Sequence, residues 1–287
     1  MRLPRYRSRQ SWILLAALLL LGCQSAPPDE RAIAPVPSPW FEDVTEKSGI
    51  QFVHDAGPAG RHFMPQIMGS GVALFDFDGD GRLDVYLLHN GGPNGKKNQL
   101  YHQEPDGSFK DVSAGSGLDV AGYGMGVAIG DVDNDGWPDV LLTEYGRIRL
   151  FRNNGNGTFS DVTKDSGLEN SLWGTSAAFV DFDRDGWLDL VVVNYVAYDP
   201  ARACSTGEQP DFCGPNVFKG TVTKLFRNLG PARHPTLSPT TGGEGKVRGS
   251  DDKGTCVRFE DVTDSSGLGR KIGPGLGVVC ADFNGDG

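Results

Sequence analysis

The sequence has no apolar run long enough to cross a bilayer. Its longest, WILLAALLLLG at 12–22, falls short of the roughly 20 residues that a spanning helix needs. Positive charge is in the minority, with 27 Lys and Arg against 37 Asp and Glu. No basic stripe marks a nucleic-acid surface, which removes that partner class. Histidine is scarce: five residues, at 54, 62, 89, 102 and 234, without an H-E-x-x-H or any other ligand pair. No G-x-S-x-G, no Walker loop and no G-x-G-x-x-G after a strand is present, so the common nucleophile and phosphate-binding signatures are missing. Cysteine is limited to five residues.

Aspartate, by contrast, is abundant and ordered. FDFDGDGRLD (75–84), GDVDNDGWPD (130–139) and VDFDRDGWLD (180–189) share the string D-x-D-x-D-G-x-x-D, and ADFNGDG (281–287) begins a fourth copy. An acidic surface turn would keep its charge but not this spacing. A hard cation such as Ca²⁺ takes six to eight oxygens, and alternate residues of a curled loop converge on one point. The expected ligands are Asp76, Asp78, Asp80, the Arg82 carbonyl and Asp84 in the first loop. In the second they are Asp131, Asp133, Asp135, the Trp137 carbonyl and Asp139, and in the third Asp181, Asp183, Asp185, the Trp187 carbonyl and Asp189. Asp282, Asn284 and Asp286 open a fourth set that lacks its ninth-position ligand. The net charge is −10, and without the twelve aspartates of the complete loops the rest of the chain sums to +2. The acidity therefore sits in the loops.

These are not EF-hands, whose twelfth position is a bidentate Glu between two helices; here Leu87, Leu142 and Val192 stand there. GVALF, GVAIG and SAAFV precede the loops, and VYLLH, VLLTE and LVVVNYV follow them. Such short Val-, Leu- and aromatic-rich runs between Gly and Asp read as buried strands, so each loop is expected to join two antiparallel neighbours. GYGMG (122–126) reads as the close-packed turn entering one such unit. Trp137 and Trp187, at matching loop positions, read as packing between units, with stacking on sugars as the alternative. His54 and His62 flank DAGPAG and read as loop histidines.

The amino-terminal MRLPRYRSRQ carries four arginines and no acid, and is followed by the apolar run and Cys23. That is the layout of a secretory signal, at 1–22. Residues 23–39, ending QSAPPDERAIAPVPSP, form a Pro-rich tether. An even set of four further cysteines in an exported chain suggests disulfides. Cys204–Cys213 is the local pairing, which leaves Cys256–Cys280; a zinc site is the alternative, but no C-x-x-C supports it.

Two further motifs keep step with the loops. WFEDVTEKSGI (40–50), SFKDVSAGSGL (108–118), TFSDVTKDSGL (158–168) and RFEDVTDSSGL (258–268) are one string four times. QLYHQEPDGSF (99–109), RLFRNNGNGTF (149–159) and KLFRNLG (224–230) are another. The loops start 55, 50 and 101 residues apart; a period near 50 with several strands per unit points to β-propeller blades. The long interval holds an insertion at about 199–256, a loop or a degenerate extra blade.

Together these motifs resemble the FG-GAP and VCBS repeats of integrin-α-type β-propellers. They are similar above all to the bacterial relatives of cartilage acidic protein that end in an ASPIC/UnbV domain. NYVAYDP…FCGPNVFKG (194–220) strengthens that likeness, which spans 40–287. The resemblance implies an all-β propeller with Ca²⁺ in its loops, about four blades here out of about seven in a closed ring, so that the chain reads as an amino-terminal fragment. The first FEDVT string precedes any metal loop, and a ring would close by pairing it with strands from the far end. LLGC (20–23) resembles the bacterial lipobox, implying lipid on Cys23, and Gln24 suggests sorting to the outer membrane, facing periplasm or surface. An ordinary signal peptide is the alternative. The function expected is a lipid-anchored binding or adhesion scaffold for a protein or glycan, without catalytic residues. The alternative is a Ca²⁺-dependent, lyase-like polysaccharide enzyme.

Overall fold

The computed structural model describes residues 40–60, 62–231 and 257–280. The chain divides into two units, Met1–Asp43 and Val44–Gly287. Of the first, residues 40–43 are described, and they form neither helix nor strand. No helix among the described residues is long and apolar enough to cross a membrane. The expected signal, Cys23 with its expected lipid, the expected tether, Cys256 and the fourth loop with Asp282, Asn284 and Asp286 lie outside the described residues.

The described residues of the second unit form three four-stranded antiparallel sheets and two two-stranded ones. The first runs in sequence order through β1 (Val72–Phe75), β2 (Asp84–Leu87), β3 (Gln99–Gln103) and β4 (Phe109–Asp111). The second repeats it with β5 (Gly124–Gly130), β6 (Asp139–Glu144), β7 (Arg147–Asn153) and β8 (Phe159–Asp161). The third starts with β9 (Gly174–Val180) and β10 (Asp189–Asn194). A hairpin, β11 (Cys204–Thr206) with β12 (Gln209–Asp211), and the short β13 (Thr221–Val222) come next. The sheet then resumes with β14 (Lys224–Pro231) and β15 (Val257–Asp261). β16 (Ile272–Gly273) pairs with β13. The insertion thus falls in two parts, on either side of β14, and its residues 224–231 are the third strand of a sheet. Cys204 and Cys213 are disulfide-bonded at the base of the hairpin, with Cα atoms 5.1 Å apart. Cys280 is exposed and forms no disulfide among the described residues.

The sheets stack face to face, β1 against β5 and β5 against β9. Period-2 alternation explains how one strand serves two interfaces. In β6, Val140 and Leu142 join Tyr86, Leu88 and Leu100 of the first sheet. The intervening Leu141 joins Leu190, Val192 and Phe226 of the third. All three β6 residues are fully buried, each contributing about 2 kcal/mol by area. The outer face of β1 is different: Val72 and Leu74 are 57% and 62% exposed. No described sheet covers that face, so the expectation of a fully buried strand fails there.

The repeated F-x-D-V-T…S-G-L string is a latch. Asp161 Oδ1 accepts from the N–H and hydroxyl of Thr163. That turns Thr163 Oγ1 to accept the Leu150 N–H at 2.8 Å, which ties the latch to the third strand. Ser113 does the same for Leu100 and Thr263 for Leu225. The following S-G-L segment docks on the next sheet: Phe159 N–H donates to Ser116 O at 2.7 Å. Gly117 sits at φ +85°, and a Cβ there would lie 2.2 Å from Phe159 O, so only glycine fits. Gly49 stands in the same relation to Phe109 O, at 2.8 Å, and Gly167 to Phe259 O, at 3.2 Å. The opening copy therefore docks on the first sheet just as the second and third copies dock on the sheets that follow them.

Candidate metal centres

All three complete aspartate loops join the first and second strands of a sheet at the same end. The pairs that bracket them are Phe75 with Asp84, Gly130 with Asp139, and Val180 with Asp189. The loops curl because their fourth and sixth positions are left-handed: Gly79 and Gly81 (φ 75° and 86°), Asn134 and Gly136 (54° and 93°), Arg184 and Gly186 (61° and 89°). The motif glycine supplies one of these turns without strain. Asn tolerates the other, and Arg184 adopts it at some cost.

Within this frame the carboxylates converge. Oxygens of Asp76, Asp78 and Asp80 lie within 4.8 Å of one another, as do those of Asp131, Asp133 and Asp139, and of Asp181, Asp183 and Asp189. Each loop's first aspartate accepts from the loop's own amides. Asp76 takes Gly79, Asp80 and Gly81; Asp131 takes Asp135 and Gly136; Asp181 takes Asp185 and Gly186. The ninth-position aspartate is the buried one. Asp84, Asp139 and Asp189 have no exposed surface. Each receives two backbone N–H groups: Phe77 and Gln103 on Asp84, Val132 and Asn153 on Asp139, Phe182 and Asn228 on Asp189. Asp80, Asp135 and Asp185 each accept the N–H of the residue two ahead, Arg82, Trp137 and Trp187.

The electrostatics are those of a site that wants a cation. Burial pushes the Asp139 carboxyl up to about 8, with Asp133 and Asp135 adding like-charge repulsion. Burial also raises Asp84, Asp131, Asp133 and Asp189 above the ordinary carboxylate range. Desolvation is thus the first cause, and crowding of like charge the lesser one. The carboxylate and carbonyl oxygens gathered in each curled loop match the preferences of Ca²⁺, so the residues present fit a hard cation.

Some residues of the site were not legible as such. The third strand sends one side chain into each loop: His102, Arg152 and Arg227, at equivalent register positions of β3, β7 and β14. Arg152 Nε lies 2.6 Å from Asp133 Oδ2, and its Nη2 3.0 Å from Asp135 Oδ2. Arg227 Nε lies 2.6 Å from Asp183 Oδ2. The next residue ties the loop to a neighbouring sheet. Asn153 Nδ2 donates to Phe77 O of the first loop at 2.8 Å and to Pro138 O at 3.2 Å. Asn228 Nδ2 donates to Val132 O of the second loop at 2.9 Å and to Leu188 O at 3.0 Å. The sequence signal was the shared RN of LFRNN and LFRNL, read as a repeated string and not as a contact. His102, in the matching YHQ, was not among the expected ligands; it gathers with Asp78 and Asp84.

Trp137 packs against both Gly79 of the preceding sheet's loop and Gly155 of its own sheet, where a Cβ would come within 3.0 and 2.7 Å of the indole. Trp187 packs on Gly230 of its own sheet. GYGMG opens β5, and a Cβ on Gly126 would meet Thr175 O of β9 at 2.8 Å. His54 is exposed, with Nε2 3.0 Å from Ser70 Oγ, and His62 packs edge-on to Phe212.

The opposite end of the sheets carries the longer connections. Phe63, Tyr123, Tyr145, Trp173 and Tyr198 form a ring cluster there, with Tyr145 at its middle, 5.3 Å from Phe63, 6.1 Å from Tyr123, 5.5 Å from Trp173 and 5.9 Å from Tyr198. The cluster fixes the segment before β1 against the connection that holds the disulfide hairpin.

A family model described as FG-GAP-like repeat matches the chain twice, at residues 76–142 and 131–192. Each match starts on the first aspartate of a loop and runs through the next loop into its second strand. No curated protein matches the chain significantly. Residues 76–192 are thus similar to the FG-GAP-like repeat, and the antiparallel four-stranded sheets they help to form are consistent with β-propeller blades.

Proposed function

We propose that this chain is an exported, calcium-binding propeller scaffold that presents its long loops to a protein or glycan ligand. The observation that carries the reading is the segregation of the two ends. One end holds three carboxylate clusters, each fixed by the strands on either side. The other holds the long, disulfide-bonded and aromatic-clamped connections. Ca²⁺ would be held in the first loop by Asp76, Asp78, Asp80, Asp84 and the Arg82 carbonyl, and by the equivalent residues of the other two. When bound, it neutralises the buried carboxylates and stiffens the loops. The residues around it then act mechanically: Asn153 and Asn228 carry that rigidity from loop to neighbouring sheet.

Export is supported by the disulfide, since such bonds persist in oxidising compartments. The lipobox-like LLGC adds a lipid anchor on Cys23, in the outer membrane. Metabolic labelling with a fatty acid tests the anchor: label on the wild type and none on Cys23→Ala supports it, and an unlabelled wild type overturns it. A panel of glycans and surface proteins, screened for binding and for cleavage with and without Ca²⁺, tests the scaffold. Ca²⁺-dependent binding without turnover supports it. Ca²⁺-dependent cleavage of a polysaccharide would replace it with the enzyme reading.

A further inference from the structure

The three loops are chemically unequal. At the position where β7 and β14 send an arginine into their loops, β3 sends His102. An arginine has no lone pair to give a metal and never loses its charge, so Arg152 and Arg227 can only be ion-pair partners of the aspartates at loop positions three and five. Neutral imidazole is a metal ligand.

The geometry around His102 is that of a ligand. Its Nδ1 lies 3.1 Å from Asp84 Oδ1 and 3.4 Å from Asp78 Oδ2. Two donors each about 2.1 Å from one ion are about 3.0 Å apart across an octahedral edge and about 3.4 Å apart across a tetrahedral one. Both separations fall in that interval. The Nδ1 atom is buried, and its contacts with the two carboxylates are of ion-pair distance without an aligned hydrogen bond. A buried nitrogen so placed gains from a partner in line with its lone pair. The ring is held in place edge-on to Phe77, with centroids 6.0 Å apart. Its Nε2 faces Asp80 Oδ2 at 3.6 Å, the side from which a carboxylate orients a metal-bound histidine.

We infer that the first loop, which takes Ca²⁺ when that is the only cation offered, binds a divalent transition-metal ion in preference to it, with His102 Nδ1, Asp78 and Asp84 as ligands. The donor set decides the class. Ca²⁺ is served by oxygens alone, whereas one imidazole among carboxylates suits Zn²⁺ and its neighbours in the first transition row. The inference rests on the reading of these loops as cation sites and separates the first of them from the other two.

The test uses the full chain, stripped with chelator and titrated with Co²⁺, whose bound imidazoles show exchangeable N–H protons far outside the normal proton NMR range. The wild type is expected to show one such resonance. It should vanish in His102→Arg, which installs the residue that the other two sheets carry and so preserves folding. One Co²⁺ site should weaken by at least about tenfold in that variant, while Ca²⁺ binding to the second and third loops is unchanged. Bound Co²⁺ without a shifted imidazole resonance in the wild type, or a resonance that persists in His102→Arg, overturns the inference. The two readings fail separately: Ca²⁺ binding in all three loops with no imidazole signal removes only this one, and an imidazole signal with no Ca²⁺ binding removes only the calcium scaffold.

Discussion

Asn153 is where the interface between the first two sheets is most exposed to a single substitution. In Asn153→Ala the chain loses the donations to Phe77 O and Pro138 O and the acceptance from Gly155 N, at 2.8, 3.2 and 3.0 Å. The side chain is fully buried, and the space left is too small to rehydrate the two carbonyls well. Each hydrogen bond is worth about 1 kcal/mol net, and a buried acceptor left unpaired adds a further penalty, so the loss should be about 3–4 kcal/mol. At roughly 2–4 °C per kcal/mol for a domain of this size, Tm should drop by about 10 °C. The neighbouring Asn154 is the control. It is exposed and bonds only within its own hairpin, to Thr158 Oγ1 and Ser160, so Asn154→Ala should stay within about 0.5 kcal/mol of wild type. Urea unfolding followed by near-ultraviolet circular dichroism measures both. If Asn153→Ala melts with Asn154→Ala, the idea that this side chain ties the loop to its neighbour is wrong.

Stability of the metal-free chain should fall as pH rises from about 4 to about 8. Burial holds Asp139 protonated up to about 8 in the folded state, against an unfolded value of 3.8. The folded chain therefore binds the extra proton in that window and loses its advantage as the proton leaves. Thermal melts at stepped pH should show the decline, and Asp139→Asn should flatten it; a rising curve in both would contradict the burial argument. Gly117→Ala should cost more than 2 kcal/mol, because its Cβ would meet Phe159 O at 2.2 Å, whereas Gly115→Ala, with φ +81° and open space around it, should cost about 1 kcal/mol. Equal melts for the two would show that the S-G-L segment is not docked as described.

The aspartate loops and the strands beside them were legible because both obey short-range rules. Carboxylates at alternate positions around a turning glycine need only local geometry, and β6 buries both faces because DVLLTE is apolar at successive positions. What escaped depends on register. Whether residue 102 reaches Asp84 is decided by the pairing of Val85 with Tyr101, which no pattern of residue types within β3 reveals. The bond from Asn153 to Phe77 joins residues 76 apart in sequence, across an interface that exists only after two sheets have stacked. Inside the insertion at about 199–256, one strand of the third sheet lies at KLFRNLG, the copy of the LFRNN string already visible in sequence, so the repeat continues there although the next aspartate loop is delayed. The exposed Val72 and Leu74 look, in sequence, like their counterparts in β5; their burial depends on a neighbouring sheet and not on the strand itself.

The central claim is that the three loops hold calcium. Calorimetric titration of the chelator-stripped full chain with Ca²⁺ tests it most directly. The account predicts binding at the loops 76–84, 131–139 and 181–189, with dissociation constants of about 10⁻³ to 10⁻⁵ M, the range of extracellular modules. It also predicts that the combined variant Asp78→Ala, Asp133→Ala and Asp183→Ala abolishes that binding, since each residue stands in its loop's carboxylate cluster. No heat of binding in the wild type, or an unchanged titration in the triple variant, would contradict it.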